Sequence, residues 1–216
     1  MRTIAVVSQK GGAGKTTPAL HLPVQAAKTG PVAVIDLDPQ ASASGWSDSR
    51  QGDDLAVVPR PHTRLRIALE TAKASGAKYA FIDTAPHAEA PASAAARSAD
   101  LVVIPTRPGI LDLRAIGAST EIANIAKRPA VLVVNAVPQG GAAQEAAEAA
   151  RDSYGIEASS AVVRQRAVFG HALVEGKTAS EVEVALRARS QNCGRIFVDG
   201  SKCLPRRQVH MTKGRA

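Results

Sequence analysis

A glycine-rich stretch near the start of the chain constrains the fold more than any other feature. Positions 9–17 read Gln-Lys-Gly-Gly-Ala-Gly-Lys-Thr-Thr, between an apolar run at 4–7 and an Ala- and Leu-rich segment. A strand, a glycine turn and a helix in this order direct backbone N–H groups and the positive helix end at one point. The stretch therefore predicts a binding site for the phosphates of a nucleoside triphosphate, formed by Lys10, Gly11, Gly12, Ala13, Gly14, Lys15, Thr16 and Thr17.

Two lysines and a glutamine distinguish this stretch from the common phosphate-binding pattern G-x-x-x-x-G-K-[ST]. Lys15 supplies the expected charge, and the hydroxyl of Thr16 suits Mg²⁺. Gln9 stands where the first glycine belongs, so an incidental glycine-rich turn is the alternative interpretation. Lys10 is a second lysine within the loop, which the common pattern does not require.

The rest of the chain alternates short apolar runs with longer Ala-rich stretches. This alternation predicts an α/β fold with a doubly wound, mostly parallel sheet flanked by helices. In such sheets ligands bind beyond the carboxyl ends of the strands. The predicted strands are 3–8, 32–36, 55–58, 79–83, 101–104 and 130–135, and the predicted helices are 15–29, 62–75, 88–98, 112–126 and 141–153. Pro18 and Pro23 fall inside the first helix, where Pro23 should cause a bend.

Composition divides the chain into one domain, residues 1–183, and a basic tail, residues 184–216. The formal net charge is +8, and most of the excess of Lys and Arg lies in the tail. Such a tail indicates either a nucleic-acid arm or a solvated chain end. Cys193 and Cys203 lack the spacing of a metal site. Because no segment has the form of a signal peptide or a membrane helix, we expect a cytoplasmic protein without membrane partners.

Carboxylates follow two of the predicted strands. Asp36 and Asp38 end the second strand and should share a face if the strand continues through both. Asp38 could orient or deprotonate an attacking water, or hold Mg²⁺ through water. Asp83 ends the fourth strand and is expected to bind Mg²⁺ opposite Thr16. The alternative for both segments is an ordinary turn at a strand end.

Taken together, these segments resemble the ParA/MinD class of deviant Walker A ATPases, which has the P-loop NTPase fold. The resemblance covers residues 1–183 and depends on three motifs, with weaker support from the strands at 101–105 and 133–135. The motifs are Lys10-Gly-Gly-Ala-Gly-Lys-Thr-Thr17, Asp36-Leu-Asp-Pro-Gln40 and Ile82-Asp-Thr-Ala-Pro86. From Val184 onward the chain no longer resembles the family, and a shifted reading frame is one hypothesis for that ending.

The resemblance implies a mechanism in which two subunits enclose two ATP molecules. Lys10 would reach the nucleotide of the other subunit, and Lys15 would hold the β- and γ-phosphates. Thr16 and Asp83 would bind Mg²⁺, Asp38 would position the water, and Asn135 would contact adenine. Hydrolysis, slow unless a partner stimulates it, would separate the dimer.

Within the class, the chain is similar to the small ParA-like plasmid-partition ATPases. This similarity implies non-specific DNA binding, a ParB-like centromere-binding partner and an association with the nucleoid. Arg164 and Arg166 would contact DNA phosphates, although ordinary surface arginines are the alternative. Three other functions stay open: a MinD-like ATPase at a membrane surface, a cargo-positioning ATPase with a protein scaffold, and a nucleotide-binding module that has lost hydrolysis.

Overall fold

We describe the protein from a computed structural model that covers residues 1–50, 52, 54–138 and 141–182. The predicted basic tail at 184–216, with both cysteines, lies outside the described residues. No helix in the part that the structure describes is long and apolar enough to cross a membrane.

Six parallel strands form one sheet in the order β3-β2-β4-β1-β5-β6. The prediction of six strands in a parallel α/β fold is confirmed, with strand ends displaced by no more than about two residues, the usual uncertainty of such boundaries. The strands are β1 Arg2–Val6, β2 Val32–Asp36, β3 Leu55–Pro59, β4 Tyr79–Asp83, β5 Leu101–Thr106 and β6 Ala130–Val134.

Helices follow the strands, and the five predicted helical regions are all helical. The helices are α1 Thr16–Ala27, α2 Ser42–Ser49, α3 Leu65–Ala74, α4 Glu89–Ser98, α5 Ile110–Arg114, α6 Ile116–Ile125, α7 Ala142–Tyr154, α8 Ala167–Val174 and α9 Ala179–Val182. The single helix predicted over 112–126 is two helices, because the chain turns at Ala115 between α5 and α6. A 3-10 turn at His62–Arg64 precedes α3.

Helices α2, α8 and α9 were not predicted from the sequence. The segment Ser-Ala-Ser-Gly-Trp-Ser-Asp-Ser of α2 carries too few apolar residues for a helical period, and only Ala43 and Trp46 are buried. Helix α1 continues through Pro23 to Ala27, within the predicted helix 15–29, and the bend expected at Pro23 stays a prediction. Pro18 lies in the first turn of α1, where a missing N–H costs no helical hydrogen bond.

Helices cover both faces of the sheet, which explains why β2 and β4 are buried at every position. One core lies under α1 and α2 and includes Leu20 and Phe81. The other lies under α3, α4, α6 and α7 and includes Ile82 and Ile116. The sheet is thus a rigid base whose carboxyl edge carries the loops after β1, β2 and β4.

Candidate functional site

The glycine loop after β1 is shaped to hold an anion. Gly12 and Gly14 have φ angles of +76° and +82°, which residues with a side chain rarely adopt. The backbone N–H groups of Gly14, Lys15 and Thr16 donate to no acceptor among the described residues. Because α1 begins at Thr16, the positive end of its dipole lies at the same place. Free donors and a helix dipole at one point match the requirements of a phosphate group.

The other predicted loop residues complete this turn. Gly11 is exposed and Ala13 is buried, so the loop has one open side and one side packed on the protein. Thr17 lies in the first turn of α1, where its N–H donates to the Gly14 carbonyl at 3.3 Å. His87 was not predicted: its Nε2 lies near Gly11, 3.6 Å from where a Cβ would stand.

Lys15 is a buried cation whose ammonium has no salt-bridge partner within the described part of the chain. Its Nζ donates to the backbone carbonyl of Lys10 at 3.4 Å. Burial lowers the pKa of Lys15, while the charges of Asp83 and Asp38 oppose that effect. An ammonium that is removed from water and lacks an ion pair gains most from an arriving phosphate.

Asp83 ends β4 beside Val6 of β1, and its carboxylate is almost completely buried. Burial raises the pKa of Asp83 to about 7, with a further contribution from Asp36. Its Oδ1 accepts the N–H of Thr84 at 2.9 Å. A buried carboxylate of raised pKa is stabilised as the anion by a divalent cation.

The residues present fit Mg²⁺ bound together with a triphosphate. Mg²⁺ usually takes one or two protein oxygens and completes its shell with phosphate oxygens and water. The Thr16 hydroxyl and the Asp83 carboxylate supply oxygens of this kind. In the described ranges no group of three or more His, Cys, Asp or Glu could hold a metal without such help.

Asp36 and Asp38 have different surroundings, because β2 ends at Asp36, as predicted, and does not continue through both. Strand β2 ends at Asp36, whose buried carboxylate accepts the N–H groups of Asp38 at 3.0 Å, Ala43 at 3.1 Å and Ser44 at 3.2 Å. Asp36 therefore fixes the loop and the start of α2. Asp38 lies beyond the strand, half-buried, with Oδ1 accepting the N–H of Gln40 at 2.9 Å. Asp38 is thus the carboxylate that stays available to a water molecule.

Asn135 lies against the glycine loop. Its Nδ2 donates to the Gly14 carbonyl at 3.1 Å, and its Oδ1 accepts the N–H of Ala136 at 2.8 Å. A Cβ on Gly14 would collide with this amide. Both ends of the amide are therefore used within the chain, and the expected contact of Asn135 with adenine stays a prediction.

Lys10 makes a contact that was not predicted from the sequence. Its Nζ lies 2.8 Å from Oδ1 of Asp112 in α5. The two lysines of the loop thus have separate partners: the Lys10 ammonium binds Asp112, whereas the Lys15 ammonium binds the Lys10 carbonyl.

Arg164 and Arg166 precede α8 at the carboxyl edge of the sheet. Arg164 forms a parallel bridge with Val137, just beyond β6, and its Nη1 donates to the Pro138 carbonyl at 3.0 Å. Arg166 is exposed and stands immediately before α8. Their contact with DNA phosphates stays a prediction.

Polar side chains of α1, of α2 and of Arg50 just after α2 hold the segment 176–181, an arrangement that was not predicted from the sequence. The N–H of Ala179 donates to His21 Nε2 at 3.0 Å, and Trp46 Nε1 donates to the Lys177 carbonyl at 3.2 Å. Arg50 bonds to Glu181 at 2.9 Å. These bonds fix the segment that follows α8 against α1, the helix that begins at the glycine loop.

A groove of about 810 Å³ lies away from these residues, at the β3 edge. Its lining is largely apolar, with residues such as Ile35, Val58 and Ile67. None of the predicted site residues lines this groove, so the glycine loop remains the candidate site.

Comparison with known proteins decides the family. Residues 4–179 match the family model described as the CobQ/CobB/MinD/ParA nucleotide binding domain. The chain belongs to this family. This ParA/MinD-family chain is 32% identical over 209 residues to the maintenance of carboxysome distribution protein A of Gloeobacter kilaueensis, covering 90% of the chain and 94% of that relative.

A second relative is a ParA protein. Over 120 residues the ParA/MinD-family chain is 34% identical to protein ParA of Rhizobium radiobacter, covering 52% of the chain and 51% of that relative. Among solved structures, the ATP complex of an McdA variant from Cyanothece matches with a TM-score of 0.71 and 17% identity, covering 94% of this chain and 98% of that one. That likeness shows the fold, which is the P-loop ATPase fold predicted from the sequence.

Proposed function

We propose that this protein is a Mg²⁺-dependent ATPase whose active species is a dimer enclosing two ATP molecules. The observation that carries the proposal is the set of unpaired N–H groups at Gly14, Lys15 and Thr16 beside a buried, unpaired ammonium. Asp83 lies within the field of that ammonium and provides the carboxylate for Mg²⁺. Asp38 is the carboxylate that orients the attacking water.

The dimer accounts for the second lysine of the loop. Lys15 alone neutralises the phosphates of its own subunit, and the Lys10 ammonium is directed to Asp112 instead. In the dimer Lys10 would reach the partner's nucleotide and neutralise charge that develops in the transition state. ATP then controls assembly, because the second subunit binds only where a triphosphate is present.

We further propose that the ATP-bound dimer binds DNA without sequence preference and distributes a cargo over the nucleoid in the cytoplasm. Arg164 and Arg166, at the edge of the sheet that carries the nucleotide loops, would contact phosphates. The favoured cargo is a DNA centromere bound by a small ParB-like protein, as the motifs imply. Similarity to a carboxysome distribution protein over 94% of its length makes a protein-bound cargo the second candidate.

The two lysines separate nucleotide binding from dimerisation. Lys15→Ala should abolish ATP binding in isothermal titration calorimetry, because the buried cation for the phosphates is gone. Lys10→Ala should keep ATP affinity within about threefold but lose the ATP-dependent dimer in light scattering, because its ammonium acts on the other subunit. Lys73→Ala, on exposed α3, is the control and should behave as the wild type. Equal loss of ATP binding in both loop variants would contradict the role across the dimer.

DNA stimulation of ATP hydrolysis tests the second proposal. The rate should rise with non-specific DNA and fall steeply as salt increases, since phosphate contacts release counterions. The double variant Arg164→Ala, Arg166→Ala should lose this stimulation, whereas Arg66→Ala on α3 should keep it. An ATP hydrolysis rate that DNA does not change, or a stimulation by DNA that salt does not reduce, would count against DNA binding. Genes beside this one for a DNA-binding partner or for carboxysome proteins would distinguish the two cargoes.

A further inference from the structure

Asp112 occupies a position from which it controls Lys10. Its Oδ1 lies 2.8 Å from Lys10 Nζ, and the side chains are 34% exposed for Lys10 and 18% exposed for Asp112. The carboxylate is held in the first turn of α5, where the Asp112 N–H donates to the Gly109 carbonyl at 2.9 Å. A Cβ on Gly109 would lie only 3.0 Å from the other carboxylate oxygen, so the glycine leaves room for this placement.

The ion pair and the partner's nucleotide compete for the same ammonium. Lys10 cannot bind Asp112 in its own subunit and at the same time extend toward a second subunit. We propose that Asp112 is a positioning residue: it holds Lys10 on its own subunit and releases it when the partner's triphosphate arrives. This inference rests on the proposed ATP-bound dimer.

Charge explains why the exchange favours the triphosphate. A single carboxylate offers Lys10 one negative charge in a half-exposed pair, which solvent and salt weaken. A triphosphate at the dimer interface offers several charges in a site that closes around it. Without a triphosphate, Lys10 stays paired with Asp112 of its own subunit and cannot reach the second subunit. Asp112 thereby opposes dimers that lack ATP.

Removing the charge of Asp112 should free Lys10. Formation of the wild-type dimer breaks two Lys10–Asp112 pairs, one in each subunit, and Asp112→Asn removes this cost. The variant should therefore dimerise at a protein concentration lower by roughly tenfold, which corresponds to about 1.4 kcal/mol. The difference from the wild type should shrink as salt increases, since the pair is partly exposed. Asp112→Glu keeps the charge and should restore dimerisation close to that of the wild type.

Two measurements on the full chain test the proposal. The first is acetylation of lysines in nucleotide-free protein by a limiting acylating reagent, followed by peptide mass spectrometry: Lys10 should react about threefold faster in Asp112→Asn than in the wild type. The second is the dimer dissociation constant with Mg²⁺ and a non-hydrolysable ATP analogue. Glu70→Gln is the matched control, because it breaks the exposed Arg66–Glu70 pair on α3 with the same change of charge.

The outcomes separate this inference from the proposed function. A wild type that never dimerises with the ATP analogue would overturn the proposed function and this inference together. A wild type that dimerises, with an Asp112→Asn dimer of equal or weaker stability, would overturn the role of Asp112 alone. Equal acetylation of Lys10 in both proteins would likewise overturn it, and so would a shift of the same size in Glu70→Gln.

Discussion

Acid should weaken the fold through His21, which lies buried in α1. Its Nδ1–H donates to the Thr17 carbonyl at 2.8 Å, and its Nε2 accepts the N–H of Ala179 at 3.0 Å. Only a neutral ring can donate at one nitrogen and accept at the other. Burial therefore lowers the pKa of His21 to about 4, and the bond to Thr17 and the charge of Glu181 offset only part of that effect.

The sign and the size of the pH effect follow from this pKa. Unfolded chains bind the His21 proton at a pKa of about 6.5, whereas the folded protein binds it only near 4. The contribution of neutral His21 to stability is complete above pH 6.5 and is lost as the pH falls from 6.5 to 4. The His21 contribution to the free energy of unfolding should fall by about 1.4 kcal/mol at pH 5.5 and by about 3 kcal/mol at pH 4.

Urea unfolding at a series of pH values measures this effect. Asp83, whose pKa is raised to about 7, adds stability as the pH falls over the same range and opposes His21, but it acts equally in the wild type and in His21→Gln. The measured quantity is therefore the difference in unfolding free energy between the two proteins, which should shrink as the pH falls from 6.5 to 4. His171→Gln, which removes an exposed imidazole on α8, should keep the wild-type slope. Glu181 adds little to this slope, because its pKa is lowered and its contribution to stability is lost only as the pH falls below about 4.5. Parallel slopes for the wild type and His21→Gln would refute the reasoning.

Three further substitutions test separate parts of the structure. Gly14→Ala should abolish ATP binding in calorimetry, because the new Cβ collides with the amide of Asn135 and the φ of +82° disfavours a side chain. Gly11→Ala is the control: its Cβ would lie 3.6 Å from His87, an ordinary contact, so it should bind ATP more tightly than Gly14→Ala. Asp36→Ala should lower the free energy of unfolding in urea by about 1–3 kcal/mol, because the N–H groups at the start of α2 lose their acceptor. An unchanged unfolding midpoint would contradict that role. Leu20→Ala should cost about 2–5 kcal/mol through the cavity it leaves in the fully packed core under α1, and a smaller loss would mean that the core collapses around it.

Much of the sheet was predictable because its strands are short, apolar and buried on both sides. Nearly continuous Val, Ile and Leu runs at 32–36 and 101–104 left few other interpretations. Helix α2 was not predictable in this way. Its polar sequence forms a helix because Asp36 accepts the N–H groups of Ala43 and Ser44, an interaction with the preceding strand end that no local period reveals.

The residues of the candidate site could be proposed from the sequence, because phosphate and Mg²⁺ need particular residue types at the ends of neighbouring strands. Lys15, Thr16 and Asp83 were chosen on this ground, and their roles stay predictions. Asp38 was chosen for the water from the sequence, because β2 was predicted to end at Asp36 and Asp38 follows it. The role of Asp36 was not predicted, since its bonds to the N–H groups of Ala43 and Ser44 join residues of separate elements. The ion pair of Lys10 with Asp112 was also not predicted, because no motif in the sequence distinguishes Asp112 from the other aspartates.

Local order in the sequence was enough to predict the family, the parallel sheet and the glycine loop, because each depends on short segments: an apolar strand, a glycine turn and a helix start. Tertiary structure decided what each loop residue binds. Lys10 and Asp112, Gly14 and Asn135, and His21 and Ala179 meet across separations of about a hundred residues or more. Such contacts exist only once the sheet brings its strand ends to one edge, so folding is what gives the two lysines of the loop their separate partners.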